Sequence, residues 1–252
     1  MSYALLSEIY DELMQDVPYE VWTQFFVKMC QTYGTNFPEK LAVLDLGCGT
    51  GRFILELVQK GHHPVGIDVS EEMLAVAAKR METNHMFVPL FHQSMDCFEL
   101  FKSFDVVTVF CDSLNYLLDE KSVFHTFRQI YQHLKPKGLL LFDVHTPYKF
   151  DTEFHDETYS VLETDYVVIW NTFLNREMWQ VRHELTYFMD ISKNGIYERF
   201  EEQQIQRTFV QDVYTSLLER AGFTLLTICD EQMQPIQSNS LRWFFCAQKP
   251  NK

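Results

Sequence analysis

The chain has 252 residues, of which 46% are hydrophobic and 22% are charged, and its net charge is −14. This length and balance are typical of one globular domain, with or without an insertion. Lys and Arg form no cluster of the kind that binds nucleic acid, so a nucleic-acid partner is disfavoured. A neutral or cationic small-molecule partner is favoured instead.

The cysteines and the N-terminus indicate the compartment. None of the six cysteines has C-x-x-C spacing, which argues against a zinc site or a redox dithiol, and no metal site is predicted. The N-terminus has no signal pattern, and no apolar run approaches the ~18 residues of a membrane span. We therefore expect a cytoplasmic protein without a membrane segment.

The first predicted elements surround a glycine-rich turn. Helical patterns cover residues 3–14 and 19–32, and a buried strand is predicted over residues 41–46. A further helical pattern begins at Phe53, and between strand and helix stand Gly47, Gly49 and Gly51. A strand, a glycine turn and a helix in this order let the backbone approach a ligand at a helix N-terminus.

The residues around this turn indicate which ligand it binds. A dinucleotide site needs G-x-G-x-x-G, but here the third glycine comes one residue early and is followed by Arg52. Asp45 precedes the turn, and a carboxylate there favours a cationic ligand head over a pyrophosphate. Asp68 ends the next predicted strand, 19 positions after Gly49, where a carboxylate accepts ribose hydroxyls. S-adenosylmethionine (SAM) fits these residues, and NAD is the less favoured alternative.

Two segments resemble a known family. Asp45–Gly51 and Gly66–Ser70 resemble the first two motifs of the class I SAM-dependent methyltransferases, and the resemblance extends over residues 41–145. It implies an α/β fold with a doubly wound, mostly parallel sheet of seven strands, the last of them antiparallel. It also implies SAM as cofactor, and an N-terminal aromatic residue that touches it. Tyr10 is the candidate, and the alternative is that Tyr10 is a core residue.

The resemblance implies a set of cofactor-binding positions. Many members of the family carry an acid where Ser94 stands, and that acid binds the adenine amino group. Either the Ser94 hydroxyl replaces it or Asp96 serves, and the N–H of Met95 would meet adenine N1. The full predicted set is Tyr10, Asp45, Gly47, Cys48, Gly49, Gly51, Asp68, Val69, Met73, Ser94, Met95 and Cys111.

The next predicted elements place the reacting end of the site. Strands are predicted over residues 86–92, 104–110 and 139–143, with a helix over 119–134 and a turn over 135–138. Ligands bind outside the carboxyl ends of parallel strands, so Asp112 and His145 are expected near the transferred methyl group. Both are candidates for a general base, and the alternative for His145 is a structural hydrogen bond. The Asn/Asp-Pro-Pro-aromatic motif of enzymes that methylate base amines is absent.

The composition changes after Phe150. Residues 151–206 carry 12 acidic and 4 basic side chains. Alternating residues over 179–191, a partner over 196–207 and a third strand over 166–173 predict an antiparallel meander. The chain then ends with a helix over 209–221 and strands over 223–229 and 241–248. We predict that residues 1–148 and 208–252 form the SAM-binding domain, and that residues 149–207 are an inserted β cap within it.

The sequence thus predicts a SAM-dependent methyltransferase that acts on a small-molecule acceptor by in-line displacement. One alternative is a SAM-binding module without catalytic activity that binds a protein partner, and another is an NAD-dependent oxidoreductase. The identity of the acceptor, the methylated atom and the oligomeric state remain open.

Overall fold

The structure is a computed structural model that describes residues 19–34, 37–191, 193 and 195–251. Tyr10 and the predicted helix over residues 3–14 lie outside the described residues. Among the helices that are described, none is long and apolar enough to cross a membrane.

A seven-stranded sheet forms the centre of the molecule, and a four-stranded sheet is attached to it. The helices are α1 (Tyr19–Tyr33), α2 (Arg52–Gln59), α3 (Glu71–Thr83), α4 (Glu120–His133), α5 (Pro147–Glu153) and α6 (Gln211–Ala221). The strands of the main sheet are β1 (Ala42–Leu46), β2 (His63–Asp68), β3 (Leu90–His92), β4 (Phe104–Val109), β5 (Leu134–His145), β10 (Thr224–Cys229) and β11 (Arg242–Gln248). The attached sheet contains β6 (Thr158–Leu162), β7 (Tyr166–Asn175), β8 (Gln180–Met189) and β9 (Glu198–Arg207).

The strand order confirms the predicted fold class. The main sheet runs β3-β2-β1-β4-β5-β11-β10. The pairs from β3 to β5 are parallel, whereas β11 is antiparallel to both of its neighbours. The strand order reverses at β1, so the carboxyl ends of β1 and β4 flank the crevice in which such sheets bind ligands.

Helices cover both faces of the main sheet. Val43 of β1 packs in a cluster with Phe25 of α1 and Phe53 of α2. Leu44, the next residue, packs in a cluster with residues of α4 and α6, such as Phe127. Strands covered on both faces read as nearly continuous apolar runs, which is why β1, β4 and β5 were recognisable in the sequence.

Two strands of the main sheet differ from their predicted limits. The third strand was predicted from residue 86 but begins at Leu90. Pro89 has no N–H to donate to the sheet, so it ends the pairing on that side. Its carbonyl still accepts from Gly66 N at 3.0 Å. The predicted turn over residues 135–138 is instead the first part of β5, which begins at Leu134. Lys137 adopts a left-handed φ of 63° there, and the pairing with β4 shifts register.

The attached sheet confirms the antiparallel meander and has one more strand than predicted. β7, β8 and β9 correspond to the three predicted strands, and β6 adds a fourth at the edge. All five residues of β6 are exposed, so it has no buried face whose alternation could reveal it. The helix α5 was also not predicted. Thr146 caps it by accepting from Lys149 N, and Pro147 occupies its first position.

Hydrogen bonds hold the end of the attached sheet against the carboxyl ends of β4 and β5. Asn115, which follows β4, donates to the carbonyl of Arg207 at 2.8 Å and accepts from His145 N at 3.0 Å. Thr208 donates its hydroxyl to the carbonyl of His145 at 2.5 Å. The four-stranded sheet therefore lies beside the reacting end of the predicted site. The boundaries of the insertion at residues 149 and 207 stay a prediction.

Candidate active site

The glycine turn after β1 leaves space for a ligand beside the backbone. Gly47, Gly49 and Gly51 have φ angles of 69°, 53° and 75°, which residues with a side chain rarely adopt. A Cβ atom at Gly47 would lie 2.6 Å from Ser113, whereas one at Gly49 would meet nothing within 4 Å. The backbone at Gly49 therefore faces open space that a side chain would fill.

Asp68 holds the end of β2 against this turn. Its carboxylate accepts from Gly49 N at 2.8 Å and from Ser70 N at 2.9 Å. Val69 is 70% exposed, and Met73 is half-buried in the first turn of α3. Cys48 is buried, and its N–H donates to the carbonyl of Ile67 at 3.1 Å. Asp68 and Cys48 thus tie the end of β2 to the glycine turn.

Asp45 is a buried acid at the end of β1. It is 3% exposed and accepts a hydrogen bond from the Thr108 hydroxyl at 2.7 Å. Burial raises its pKa to about 7, although the bond from Thr108 opposes the shift, and the charge of Asp68 adds to it. A cationic group nearby would favour the ionised form. The open glycine turn and the acids beside it therefore fit SAM, which is cationic and carries no phosphate.

Ser94 and Asp96, the two alternatives for the adenine, form one hydrogen-bonded pair. The Ser94 hydroxyl donates to Asp96 at 2.7 Å. Met95 lies between them, and its terminal methyl group approaches the Gly47 position. The geometry thus brings both candidates to the same loop after β3, and the choice between them stays a prediction.

The loop after β4 has an unusual backbone. Cys111 and Asp112 are consecutive residues with side chains, and both adopt left-handed φ angles, of 55° and 53°. Such conformations are strained and persist where the surrounding structure imposes them. Burial, together with the charges of Asp143 and Asp112, raises the pKa of the Cys111 thiol well above its usual value. Cys111 is therefore a protonated thiol and not a nucleophile.

Arg242 of β11 bridges two carboxylates at this edge. It donates to Asp143 and, at 3.0 Å, to Asp112. The Trp22 indole N–H donates to the other oxygen of Asp143 at 2.7 Å, and the Arg242 guanidinium lies over the Trp22 ring. Burial works to raise the pKa of Asp112, but the His145 and Arg242 side chains outweigh it and hold the pKa well below its usual range. Asp112 is therefore ionised.

His145 at the end of β5 is 4% exposed, and its Nε2 lies 3.3 Å from an Asp112 oxygen. Burial lowers the pKa of His145 to about 3, although Asp112 opposes the shift. The imidazole is therefore neutral, with Nε2–H directed to Asp112. Its Nδ1 is buried and has no hydrogen-bond partner among the described residues. This arrangement orients Asp112.

The attached sheet also contributes to the site. Gln206 of β9 donates to Asp112 at 2.8 Å and contacts Nε2 of His183 at 3.3 Å. The Trp170 indole can only donate, and it does so to Nδ1 of His183 at 3.0 Å. A hydrogen-bonded chain therefore leads from the interior of the attached sheet to Asp112.

Among the residues that bond to Asp112 or to Asp143, sequence reasoning missed Trp22, Gln206 and Arg242, as well as Asp143 itself. Asp143 had a local signal, because it follows an apolar run within β5, much as Asp45 and Asp68 end their strands. The other three lie on distant elements, and nothing in their local sequence distinguishes them.

Comparison with known proteins identifies the family. The family model described as "Methyltransferase domain" matches residues 43–138. The chain is 41% identical over 250 residues to "Putative methyltransferase GWCH70_2453" of Geobacillus sp. (strain WCH70), which covers 99% of this chain and 100% of that relative. It is also 26% identical over 204 residues to a "dTDP-4-amino-2,3,4,6-tetradeoxy-D-glucose N,N-dimethyltransferase" of Saccharopolyspora spinosa. That match covers 80% of this chain and 78% of the relative.

A solved structure agrees in fold. It is an S-adenosylmethionine-dependent methyltransferase from Clostridium acetobutylicum ATCC 824, which matches with a TM-score of 0.86 at 22% identity. The match covers 99% of this chain and 100% of that chain. These findings confirm the interpretation made from the glycine turn and from Asp45. The chain belongs to the class I SAM-dependent methyltransferases, and SAM is its cofactor.

Proposed function

We propose that this protein transfers the methyl group of SAM to an amine nitrogen of a small molecule. The observation that carries this proposal is the ionised Asp112 carboxylate, held at the carboxyl end of β4 by Arg242, His145 and Gln206. An anion at this position stabilises the positive charge that a nitrogen nucleophile acquires. The relative from Saccharopolyspora spinosa, which is named as an N,N-dimethyltransferase of an amino sugar, supports an amine acceptor.

In this proposal the glycine turn and its neighbours hold the cofactor. The backbone at Gly49 leaves room for it, Asp68 accepts hydroxyl groups, and Asp45 favours the cationic head. The Ser94–Asp96 pair faces the adenine. The same role is assigned to the remaining predicted positions, Gly47, Cys48, Gly51, Val69, Met73, Met95 and Cys111.

SAM supplies a methyl group on a good leaving group, so the protein contributes mainly orientation and exclusion of water. The acceptor nitrogen must be neutral to attack, and it becomes a cation as it gains the methyl group. Asp112 stabilises that cation and accepts its hydrogen bond until the proton is lost to water. His145 is a positioning residue, because its low pKa makes it a weak base and its N–H fixes Asp112.

The attached sheet is the cap over the acceptor in this proposal. Its strand β9 contacts Asp112 through Gln206, and its inner face lies beside the loop after β4. Such a cover excludes water from the reacting atoms.

The cysteines bear on the compartment. All six lie among the described residues and form no disulfide, which supports the cytoplasm as compartment.

Calorimetric titration tests the cofactor half of the proposal. SAM and S-adenosylhomocysteine are expected to bind wild type with micromolar affinity and to bind Asp68→Asn at least tenfold more weakly. Asp165→Asn, which changes an exposed acid in the turn between β6 and β7, is the matched control and is expected to bind like wild type. Equal affinities in all three proteins would contradict the role given to Asp68.

Turnover tests the acceptor half. Primary amines, alcohols and carboxylates of matched size are incubated with the protein and SAM, and S-adenosylhomocysteine is measured. Amines alone are expected to support turnover, and Asp112→Asn is expected to lower kcat without changing SAM affinity. Turnover restricted to alcohols or carboxylates, or an unchanged kcat in Asp112→Asn, would contradict the proposal.

A further inference from the structure

The inner face of the attached sheet carries a carboxylate that the proposed function does not use. Side chains of β9 alternate between the two faces, and Glu202 is paired across strands with Leu185 of β8. Leu185 packs against the apolar cluster of this face, which includes Tyr187 and Phe200. Glu202 is half-buried beside these residues. An acid therefore lies beside an apolar and aromatic cluster on this face.

Neutral side chains fix the position of Glu202. Gln204 donates to one of its oxygens at 2.7 Å, and the Tyr187 hydroxyl lies 3.5 Å from the other. Gln204 in turn accepts from the Tyr116 hydroxyl at 2.8 Å. Tyr116 closes the short helix that begins directly after Asp112. Glu202 is thus connected, through the side chains of Gln204 and Tyr116, to the loop that carries Asp112.

Glu202 has no cationic partner among the residues that the structure describes, since none of their Lys, Arg or His side chains forms an ion pair with it. The neighbouring acids on the opposite face differ, because Glu201 pairs with Arg199 and Glu184 pairs with Arg182. A half-buried charge without a counterion is unfavourable, and its free energy falls when a cation binds. The inner face therefore favours the binding of a positively charged ligand group.

The spacing along β9 gives the dimension of such a ligand. Glu202 and Gln206 lie on the same face, four residues apart, which corresponds to roughly 13 Å along a strand. Gln206 contacts Asp112 at the reacting end, and Gln204 with Tyr116 lies between the two. A molecule that reaches both ends would carry its two polar groups on the order of 10 Å apart.

We propose that Glu202 binds a second, cationic group of the acceptor while the nucleophilic amine lies at Asp112. The acceptor is then an elongated molecule with an amine at one end and an ammonium at the other, of the α,ω-diamine type. This inference rests on the proposed function, because it assumes that the nitrogen at Asp112 is the methyl acceptor.

The test measures binding of defined probes to protein saturated with S-adenosylhomocysteine. The probes are diaminobutane, diaminohexane and diaminooctane, and each is compared with the monoamine of the same chain length. Wild type is expected to bind the longest diamine at least about tenfold more tightly than its monoamine, as a charge-assisted hydrogen bond provides. Glu202→Gln is expected to abolish this preference.

Glu201→Gln is the matched control, because it removes the same charge from the adjacent residue on the outer face of the strand. It is expected to keep the preference for diamines. A second variant, Gln204→Leu, removes the donor that fixes Glu202 and is expected to reduce the preference. Each variant is accepted only if it binds S-adenosylhomocysteine like wild type.

The outcomes separate the inference from the proposed function. If wild type binds diamines and monoamines alike, or if Glu202→Gln keeps the preference, the role of Glu202 is refuted while the methyl-transfer proposal stands. If diamines bind as expected but amines of every kind fail in the turnover assay, the proposed function is refuted. If Glu201→Gln loses the preference for diamines as fully as Glu202→Gln does, the effect comes from net charge, and the inference is overturned.

Discussion

Arg242→Met tests the network that holds Asp112. The Arg242 side chain is 13% exposed, Asp143 is fully buried and Asp112 is 19% exposed. Removal of Arg242 leaves two carboxylates without their cation, and breaking a buried ion pair in this way costs about 3–5 kcal/mol. For a chain of this size, about 2–4 °C in Tm accompanies each kcal/mol. We therefore expect Tm to fall by roughly 10 °C.

The sign of the pH dependence follows from the same network. Burial raises the pKa of Asp143 in the wild type, although Arg242 opposes the shift. For an acid whose folded pKa is raised, stability is fully present below the unfolded pKa of about 3.9 and is lost as the pH rises through the folded pKa. Without Arg242 the folded pKa of Asp143 rises further, and the pKa of Asp112 rises from its lowered value. The free energy of unfolding that Arg242→Met loses relative to wild type is therefore expected to be larger at pH 8 than at pH 5.

Urea unfolding, followed by tryptophan fluorescence at both pH values, measures these effects. The control is Arg199→Met, which removes an exposed arginine whose ion pair with Glu201 contributes about 0–1 kcal/mol. A loss below about 1 kcal/mol in Arg242→Met, or a deficit that shrinks as the pH rises, would refute the reasoning.

Three further predictions concern the cofactor half of the site. Gly49→Ala is expected to weaken SAM binding strongly and to lose ~1–2 kcal/mol of stability, because alanine is strained at a positive φ. Gly61 also has a positive φ and open surroundings, so Gly61→Ala is expected to lose as much stability but to bind SAM like wild type. Calorimetry measures binding, and urea unfolding measures stability. SAM affinity in wild type is expected to rise as the pH increases through about 7, where Asp45 ionises, and Asp45→Asn is expected to abolish this dependence in calorimetric titrations. Thr108→Val removes the hydrogen-bond donor to Asp45, so the rise of SAM affinity with pH is expected to have its midpoint at a higher pH than in wild type.

The parts of the site that could be predicted are those fixed by local sequence. Asp45 and Asp68 each end an apolar strand, and the carboxyl ends of neighbouring parallel strands meet at one edge of the sheet. The glycine turn is local too, because its positive φ angles require glycine at fixed spacing. These residues come together once the strand order is known.

The residues that surround Asp112 could not be predicted in this way. Arg242 is 99 positions from Asp143 and 130 positions from Asp112 along the chain, and Gln206 is 94 positions from Asp112. Their contacts depend on β11 lying between β5 and β10 and on the position of the attached sheet. An arginine or a glutamine near the end of a strand has the same local pattern whether or not it reaches a site.

For Glu202, the local sequence pattern predicts the alternation of faces, and the tertiary structure determines which face is covered. Period-two alternation already places Glu201 and Glu202 on opposite faces of β9. It does not tell which face is covered, because a register shift of one residue exchanges the two faces. The pairing of Glu202 with Leu185 fixes that choice, and it turns Glu202 toward Gln204 and Tyr187 while Glu201 remains outside with Arg199. The same charge is therefore a surface ion pair at one position and a ligand-binding candidate at the next.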